Sequence, residues 1–307
     1  MITAELLSPI LAATVQSGTP ILYATLGEML TERSGVLNLG VEGMMIFGAF
    51  GAFLFTYFTG NPWVGLFMAG LFAGALGLLH GVVCQVFQGN QVVSGLALTI
   101  LGVGLADFLG TPYVGVATTG FTPFEFPVLS SIPVIGGIFF KHDALVYLSY
   151  TLPLIFWFFM NRTRWGLALA AAGEHPAACS AAGLSPVLMR WAGVFFGGFL
   201  VGLGGAYLSL AYTHLWTNNM TGGRGWIAVA LVIFAFWRPG RAVFGAYLFG
   251  GIMAFQMRLQ ALGATLPSSL LLMLPYALTI IVLLFSSARG KGRAAPAALG
   301  VNIEPGE

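Results

Sequence analysis

Charge is what this chain has least of. Asp, Glu, Lys and Arg together make up 7% of its 307 residues, against about 25% in an ordinary soluble domain. So little charge excludes a water-solvated globule and leaves a protein whose solvent is mostly lipid. Cysteine is scarce as well. Cys84 and Cys179 stand far apart without metal-type spacing, which argues against a disulfide framework or a zinc site. No G-x-x-x-x-G-K-S/T phosphate loop occurs. The nearest match, Gly290-Lys291, sits in a polar tail with no strand before it, so any ATP hydrolysis belongs to another chain. H-E-x-x-H, G-x-S-x-G and paired catalytic residues are missing too, which points away from an enzyme.

What is abundant fits the same class. Apolar residues reach 58%, and the 43 glycines supply the small side chains that let membrane helices approach closely. Apolar runs predict spans at 9–27, 36–59, 63–87, 91–110, 144–160, 191–213, 225–237, 243–258 and 266–286. The expected fold is all-α, a polytopic transmembrane helical bundle of about nine spans (eight to ten). The Gly-rich blocks at 36–110 and 191–261 permit an inverted repeat. With no Lys or Arg in the first eight residues and Pro9 and Pro20 in the first span, that segment reads as a retained helix rather than a cleaved signal.

Nine spans put the two ends on opposite sides. With the C-terminal end inside, Arg33, Arg162, Arg164, Arg190, Arg238, Arg241, Arg289, Lys291 and Arg293 are cytoplasmic, and Lys141, Arg224 and Arg258 are outside. That excess of inside basic residues follows the positive-inside rule, so the N-terminus is expected outside. Residues 1–287 form the transmembrane domain and 288–307 a cytoplasmic tail expected to be disordered. The segment 111–143, with four prolines, reads as an extracytoplasmic lid. At 225–237 the span is too short, about 18–20 Å of helix against a hydrocarbon core of roughly 30 Å. A broken or re-entrant element shielded by protein would resolve the mismatch.

The cytoplasmic stretch 161–190 is long for a loop and carries signals for its own short helix. Pro176 suits a first helical position. Ala177, Ala178, Ala181 and Ala182 are strong helix formers with minimal side chains. Gly183 is placed to end the helix, and Pro186 prevents its resumption. Two turns alone in water are marginal. The element is therefore either a solvated connector or a docking surface for a cytoplasmic motor, with Gly173, Glu174, Pro176, Ala178, Ala181 and Gly183 as its contact residues.

These motifs carry a family resemblance. The run TERSGVLNLGVEGMMIFGAF (31–50) resembles the signature of ABC-transporter permeases that import nucleosides and simple sugars with a basic-membrane-protein-type receptor. GLALAAAGEHPAACSAAGLSP (166–186) resembles their coupling loop, and NQVVSGLALTILGVGLADFL (90–109) and GGRGWIAVALVIFAFWRPGRAVFGAYLFG (222–250) match two further blocks. The similarity covers about residues 20–286. It implies a permease subunit related to ribose and branched-chain amino acid importers, in a bacterial-type plasma membrane. Its implied partners are a cytoplasmic ABC ATPase that holds the ATP and Mg, an extracytoplasmic binding protein and a second, non-identical permease. No cofactor is expected on this chain.

Polar residues inside the spans are the candidates for the translocation path, because uncharged hydroxyl- and amide-bearing substrates need such partners. Glu42 and Asn38 share a face one turn apart, and Asn90, Gln91 and Ser94 open the fourth span. Each has a structural alternative: a carboxylate satisfied by a neighbouring helix end for Glu42, and an interfacial cap for the other group. Nucleosides are the leading substrate, with simple sugars next. An ion-coupled secondary transporter, with Glu42 and Asp107 as coupling carboxylates, is the rival reading.

Overall fold

The computed structural model describes residues 4–261, 273–288 and 295–303. Helices dominate: α1 (Ala4–Arg33), α2 (Val41–Thr59), α3 (Pro62–Gly81), α4 (Gln91–Gly110), α5 (Ile135–Phe139), α6 (Ala144–Arg162), α7 (Arg164–Glu174), α8 (Pro176–Ala181), α9 (Pro186–Tyr207), α10 (Arg224–Ala235), α11 (Pro239–Ala261) and α12 (Leu274–Ala288). Single π-turns extend α3 through Val86 and α9 through Tyr212. Six of the described helices are long and apolar enough to cross a membrane: α2, α3, α4, α6, α9 and α11. Residues 266–272 of the last expected span lie outside the described residues.

Local chemistry sets the helix ends. Asn61, Asn90, Asp143, Thr163 and Ser185 each turn a side-chain oxygen onto an N–H of the first turn they precede, satisfying donors that a helix start leaves orphaned. Two expectations need correction here. Pro186 does not merely stop α8. It occupies the first turn of α9 behind the Ser185 cap, so that helix begins five residues earlier than its apolar run does. And α2 begins at Val41, not 36. Gly35 adopts φ +94°, residues 34–35 turn out of α1, and residues 36–40 stay non-helical as side chains take backbone donors there. Gln91 accepts from Leu37 N (2.8 Å), Glu28 from Asn38 N (3.2 Å) and the Asn38 amide oxygen from Gly40 N (2.8 Å).

A central helix, α9, packs against α1, α2 and α3 along a glycine seam. A Cβ on Gly197 would strike the Thr31 side chain and the Gly27 carbonyl. One on Gly202 would strike the Ala69 carbonyl, and one on Gly205 the Met45 carbonyl. The pairs Gly70/Gly74, Gly77/Gly81, Gly193/Gly197 and Gly198/Gly202 all face neighbouring helices of the same chain. They pack the bundle.

The bundle has two distinct ends. At one, residues 111–143 form a cap with a two-residue antiparallel pairing of Phe124–Glu125 with Lys141–His142, tied by a Lys141–Glu125 ion pair at 3.3 Å. The cap is stitched to the far end of α9 through Gly115 N to Trp216 O, Thr118 N to His214 O and Phe121 N to Leu210 O. Burial pushes the Asp143 carboxyl above its ordinary range, although Leu145 N and Val146 N donate to it. At the opposite end lie the α1–α2 corner, α7 and α8. Against them sits residues 295–303, a stretch expected to be disordered. Eight hydrogen bonds hold it, to the α1–α2 and α7–α8 corners, the α3–α4 corner and Arg190 of α9.

Candidate functional site at the tips of α2 and α10

Two helices of this bundle begin deep inside it. Along α4, Gln91 meets Leu37, a Cβ on Gly95 would meet Leu39, and Gly43 lies on Thr99 and Gly102. The first turn of α2 therefore sits about eight residues along α4, roughly 12 Å from its start at 1.5 Å per residue. The 12-residue α10 starts at the same depth. A Cβ on Gly225 would touch the backbone of Glu42, while the far end of α10 reaches the α1–α2 corner through Trp237. At about 18 Å, α10 covers little more than half of a bilayer core. The short span expected at 225–237 is thus a helix that begins inside the bundle, reached from the cap end by the non-helical stretch 213–223.

Carboxylates grip α10 at both ends. Glu42, 6% exposed, accepts from Thr221 Oγ1 (2.6 Å) and Gly223 N (2.9 Å) on Oε1, and from Gly225 N (2.7 Å) on Oε2. Those N–H groups are the orphan donors of the α10 start, where the helix macrodipole also favours negative charge. At the other end, Glu32 accepts from the Trp237 indole Nε1 at 2.6 Å, and Arg33 donates to Trp237 O at 2.9 Å. The ERSGVLNLGVEG segment is therefore a bracket that holds α10 by its first and last turns.

A cavity of about 630 Å³ opens beside the two tips. Glu42 and Thr99 line it from α2 and α4, Asn219 and Arg224 from the α10 approach, Gln256 from α11 and Tyr276 from α12, with Trp226, Met253 and Met257 as apolar walls. Arg224, assigned to an outside loop by charge counting, is 8% exposed here and donates to Met220 O (3.3 Å) and Thr221 O (3.0 Å). Amide and hydroxyl groups, one guanidinium and two aromatic rings around a space this large can hydrogen-bond and stack a polar ring-bearing molecule.

Of the sequence-derived path residues, Glu42 lines this cavity. Asn38, Asn90 and Gln91 hold backbone N–H groups, and Ser94 holds a histidine ring. Asn38 is fully buried and holds the 34–40 turn, with its Nδ2 against Met44 Sδ at 3.4 Å. Asn90 caps α4 through Val93 N at 3.1 Å, and Gln91 bridges Leu37 N and Asn302. Ser94 meets His80 Nδ1 at 2.9 Å, and His80 Nε2 meets Leu37 O at 3.0 Å. The cavity residues Asn219, Arg224, Gln256 and Tyr276 escaped the sequence reading. The glycine-rich GGRG opening of a short apolar helix was the one available signal, since such a start offers bare N–H groups to an acceptor.

In the 161–190 stretch, α8 forms as its residues predict. Gly183 takes φ +77°, with Leu184 N bonded to Cys179 O and Gly183 N to Ser180 O, a left-handed helix stop that favours glycine. Ala178 and Ala181 are exposed. Cys179 is buried under α8 against Ala168, Ala172 and Met189, and burial raises its thiol pKa. Gly173 packs on the Arg33 carbonyl, and Glu174 accepts from Ala297 N at 3.2 Å.

A family described as the branched-chain amino acid transport system / permease component matches residues 10–283. The chain belongs to that family. Among relatives of this permease, a Haloferax volcanii protein provisionally named as a glucose ABC transporter permease is 47% identical over 84% of this chain and 79% of its own length. The guanosine ABC transporter permease protein NupQ of Bacillus subtilis is 36% identical, covering 91% of this chain and 92% of its own. The nucleoside ABC transporter permease protein NupC of Lactococcus lactis is 33% identical, covering 92% and 93%. None of the solved structures is significantly similar to the permease.

Proposed function

We propose that this permease is the membrane-spanning subunit of an ATP-driven importer for nucleosides. The observation that carries the reading is the cavity at the α2 and α10 tips. Its Asn219, Gln256 and Thr99 groups match the hydroxyls and ring nitrogens of an uncharged nucleoside, and Trp226 and Tyr276 offer faces for its base. Two relatives aligned over nine-tenths of the chain carry guanosine or nucleoside transport in their names. The 47% identity to the glucose-named relative favours simple sugars as the second reading.

In this reading α1 and α12 cross the membrane together with the six long apolar helices, and α10 crosses as a half-helix completed by 213–223. That gives nine passages, with the α1 start outside and the 295–303 stretch in the cytoplasm. The basic residues at the α7–α8 end support this orientation. The non-helical stretch leading to α2 and the non-helical stretch leading to α10 approach the same depth from opposite ends, each opening on a glycine-flanked start, Gly40-Val41-Glu42-Gly43 and Gly223-Arg224-Gly225. That pairing supports an inverted repeat. The exposed surface of α8 docks a cytoplasmic ATPase, which binds ATP and Mg. An extracytoplasmic binding protein delivers substrate to the capped end, and a second permease completes the complex. An ion-coupled carrier would need a carboxylate free to exchange protons or ions. Glu42 is instead committed to three donors.

The test is uptake of radiolabelled guanosine and glucose by cells expressing the permease with its co-purifying partners. Guanosine uptake that unlabelled adenosine competes and glucose does not is the expected result. Glucose uptake alone would move the assignment to sugars, and uptake abolished by an ionophore but indifferent to ATP would refute the ABC reading.

A further inference from the structure

Residues 295–303 lie across three helix corners and against the α9 residue Arg190. Ala297 N donates to Glu174 Oε2 (3.2 Å) and Ala298 N to Gly173 O (2.9 Å), at the α7–α8 corner. Gly300 N donates to Gly35 O (3.2 Å), at the α1–α2 corner. Asn302 accepts from Gln91 Nε2 (2.8 Å) and donates to Gly89 O (3.1 Å), and Gln88 Nε2 donates to Ile303 O (3.0 Å), at the α3–α4 corner. From α9, Arg190 donates to Val301 O (2.7 Å) and Ala298 O (3.4 Å).

Arg190 makes this contact more than incidental. Its side chain is 1% exposed, so these carbonyls stand where water would otherwise solvate the charge. It also lies against Gly35, where a Cβ would come within 2.9 Å of Nη2. The contacts continue inward. Gln91, bonded to Asn302, also holds Leu37 N, and the 34–40 stretch leads straight to Glu42 and the start of α10. A continuous run of hydrogen-bonded groups thus joins the corner beside α8 to the rim of the cavity.

We propose that the 295–303 strap is a tie that carries displacement of the α7–α8 element to the α2 and α10 tips, with Arg190 and Asn302 as its positioning residues. The proposal rests on the ABC reading. It treats the strap as a working part of coupling, beyond docking by α8 alone, because two sites couple only through elements that both of them bias.

The experiment compares nucleoside uptake and ATP hydrolysis by the complete complex in liposomes, for wild type, Asn302→Ala, Arg190→Lys and a chain ending at Ala294. The expected result is that nucleoside moved per ATP hydrolysed falls about tenfold in Asn302→Ala, within the usual range of coupling between linked sites, while the complex stays assembled and hydrolyses ATP. Unchanged transport per ATP in both Asn302→Ala and the truncated chain overturns the proposal. So does increased uptake on truncation, which would make the strap a brake. A fall in uptake that tracks loss of assembled complex across all three variants also overturns it, because the strap would then be only a fold brace. A failure of the ABC reading is separable: wild type itself would then show no ATP-dependent uptake.

Discussion

Replacing Glu42 by Gln tests the bracket around α10 with a single atom exchanged. The carboxylate accepts three hydrogen bonds, two on Oε1 and one on Oε2. In Gln, one of those oxygens becomes an NH2 group. If Oε1 is kept, Thr221 and Gly223 retain their acceptor, but Gly225 N–H faces another donor. An unmatched donor buried there costs about 1–3 kcal/mol, and bonds to a charged acceptor lose strength when the charge goes. Loss of the negative charge at the α10 start adds about 0.3–1 kcal/mol. The total, about 3 kcal/mol, corresponds to a drop of very roughly 5–10 °C in thermal unfolding, using the scale for domains somewhat smaller than this chain. The assay is thermal unfolding of the purified complex in mild detergent, with nucleoside uptake measured in parallel. Glu42→Gln should unfold earlier and transport poorly. Glu42→Asp, one methylene shorter, cannot span both glycine N–H groups and should also be destabilised. A Glu42→Gln protein with wild-type melting that loses only the pH dependence of uptake would refute this account and favour proton coupling.

Ala178→Trp, on the exposed face of α8, should abolish uptake without lowering membrane insertion, as quantified by surface labelling and immunoblot. Gly183→Arg should do the same: no atom lies within 4 Å of a Cβ there, so beyond the strain of its positive φ the clash must come from a partner. Normal uptake in both variants would sink the docking role. Gln256→Ala removes a cavity amide and should raise the apparent KM for nucleoside about tenfold while the complex melts normally, read from initial uptake rates. Cys179, buried with its thiol pKa raised, should react with maleimide at pH 7 far more slowly than an exposed thiol, measured by mass shift. Its thiolate fraction grows with pH, so labelling should accelerate towards pH 9 and never reach the rate of the unfolded chain.

The helical course of this chain was legible because each long span has an apolar run, and α3, α4, α6 and α9 also have a capping side chain at their start. Asn61, Asn90 and Asp143 sit where the hydrophobic pattern begins. The α8 stop was legible for the same reason, since Gly183 and the alanines before it act within one turn. The cavity was not. Asn219, Arg224, Gln256 and Tyr276 come from separate segments, and only the arrest of α10 at the level of Glu42 brings them together. Polarity in the spans left two readings open at Asn38, Asn90 and Gln91, which resemble substrate ligands in sequence and accept from the backbone donors of Gly40, Val93 and Leu37. The strap was opaque because its bonds run mostly through backbone groups, which a Pro- and Gly-rich composition does not report.

The glycine seam of α9 sets where this protein can move. Wherever Gly197, Gly202 and Gly205 meet the carbonyls of α1, α3 and α2, main chain lies on main chain with no side chains between to change rotamer. Sliding there would drive backbone into backbone, so α1, α3, α9 and the part of α2 from Met45 onward form a single stiff keel. A transport cycle that opens and closes a path must then be assigned to the parts hung on that keel: the α2 tip at Glu42, α4, the half-helix α10 held between its two carboxylate grips, and α11 and α12 behind it. A methyl group added at Gly205 would jam the keel, whereas one added on the outer face of α11 would go unnoticed.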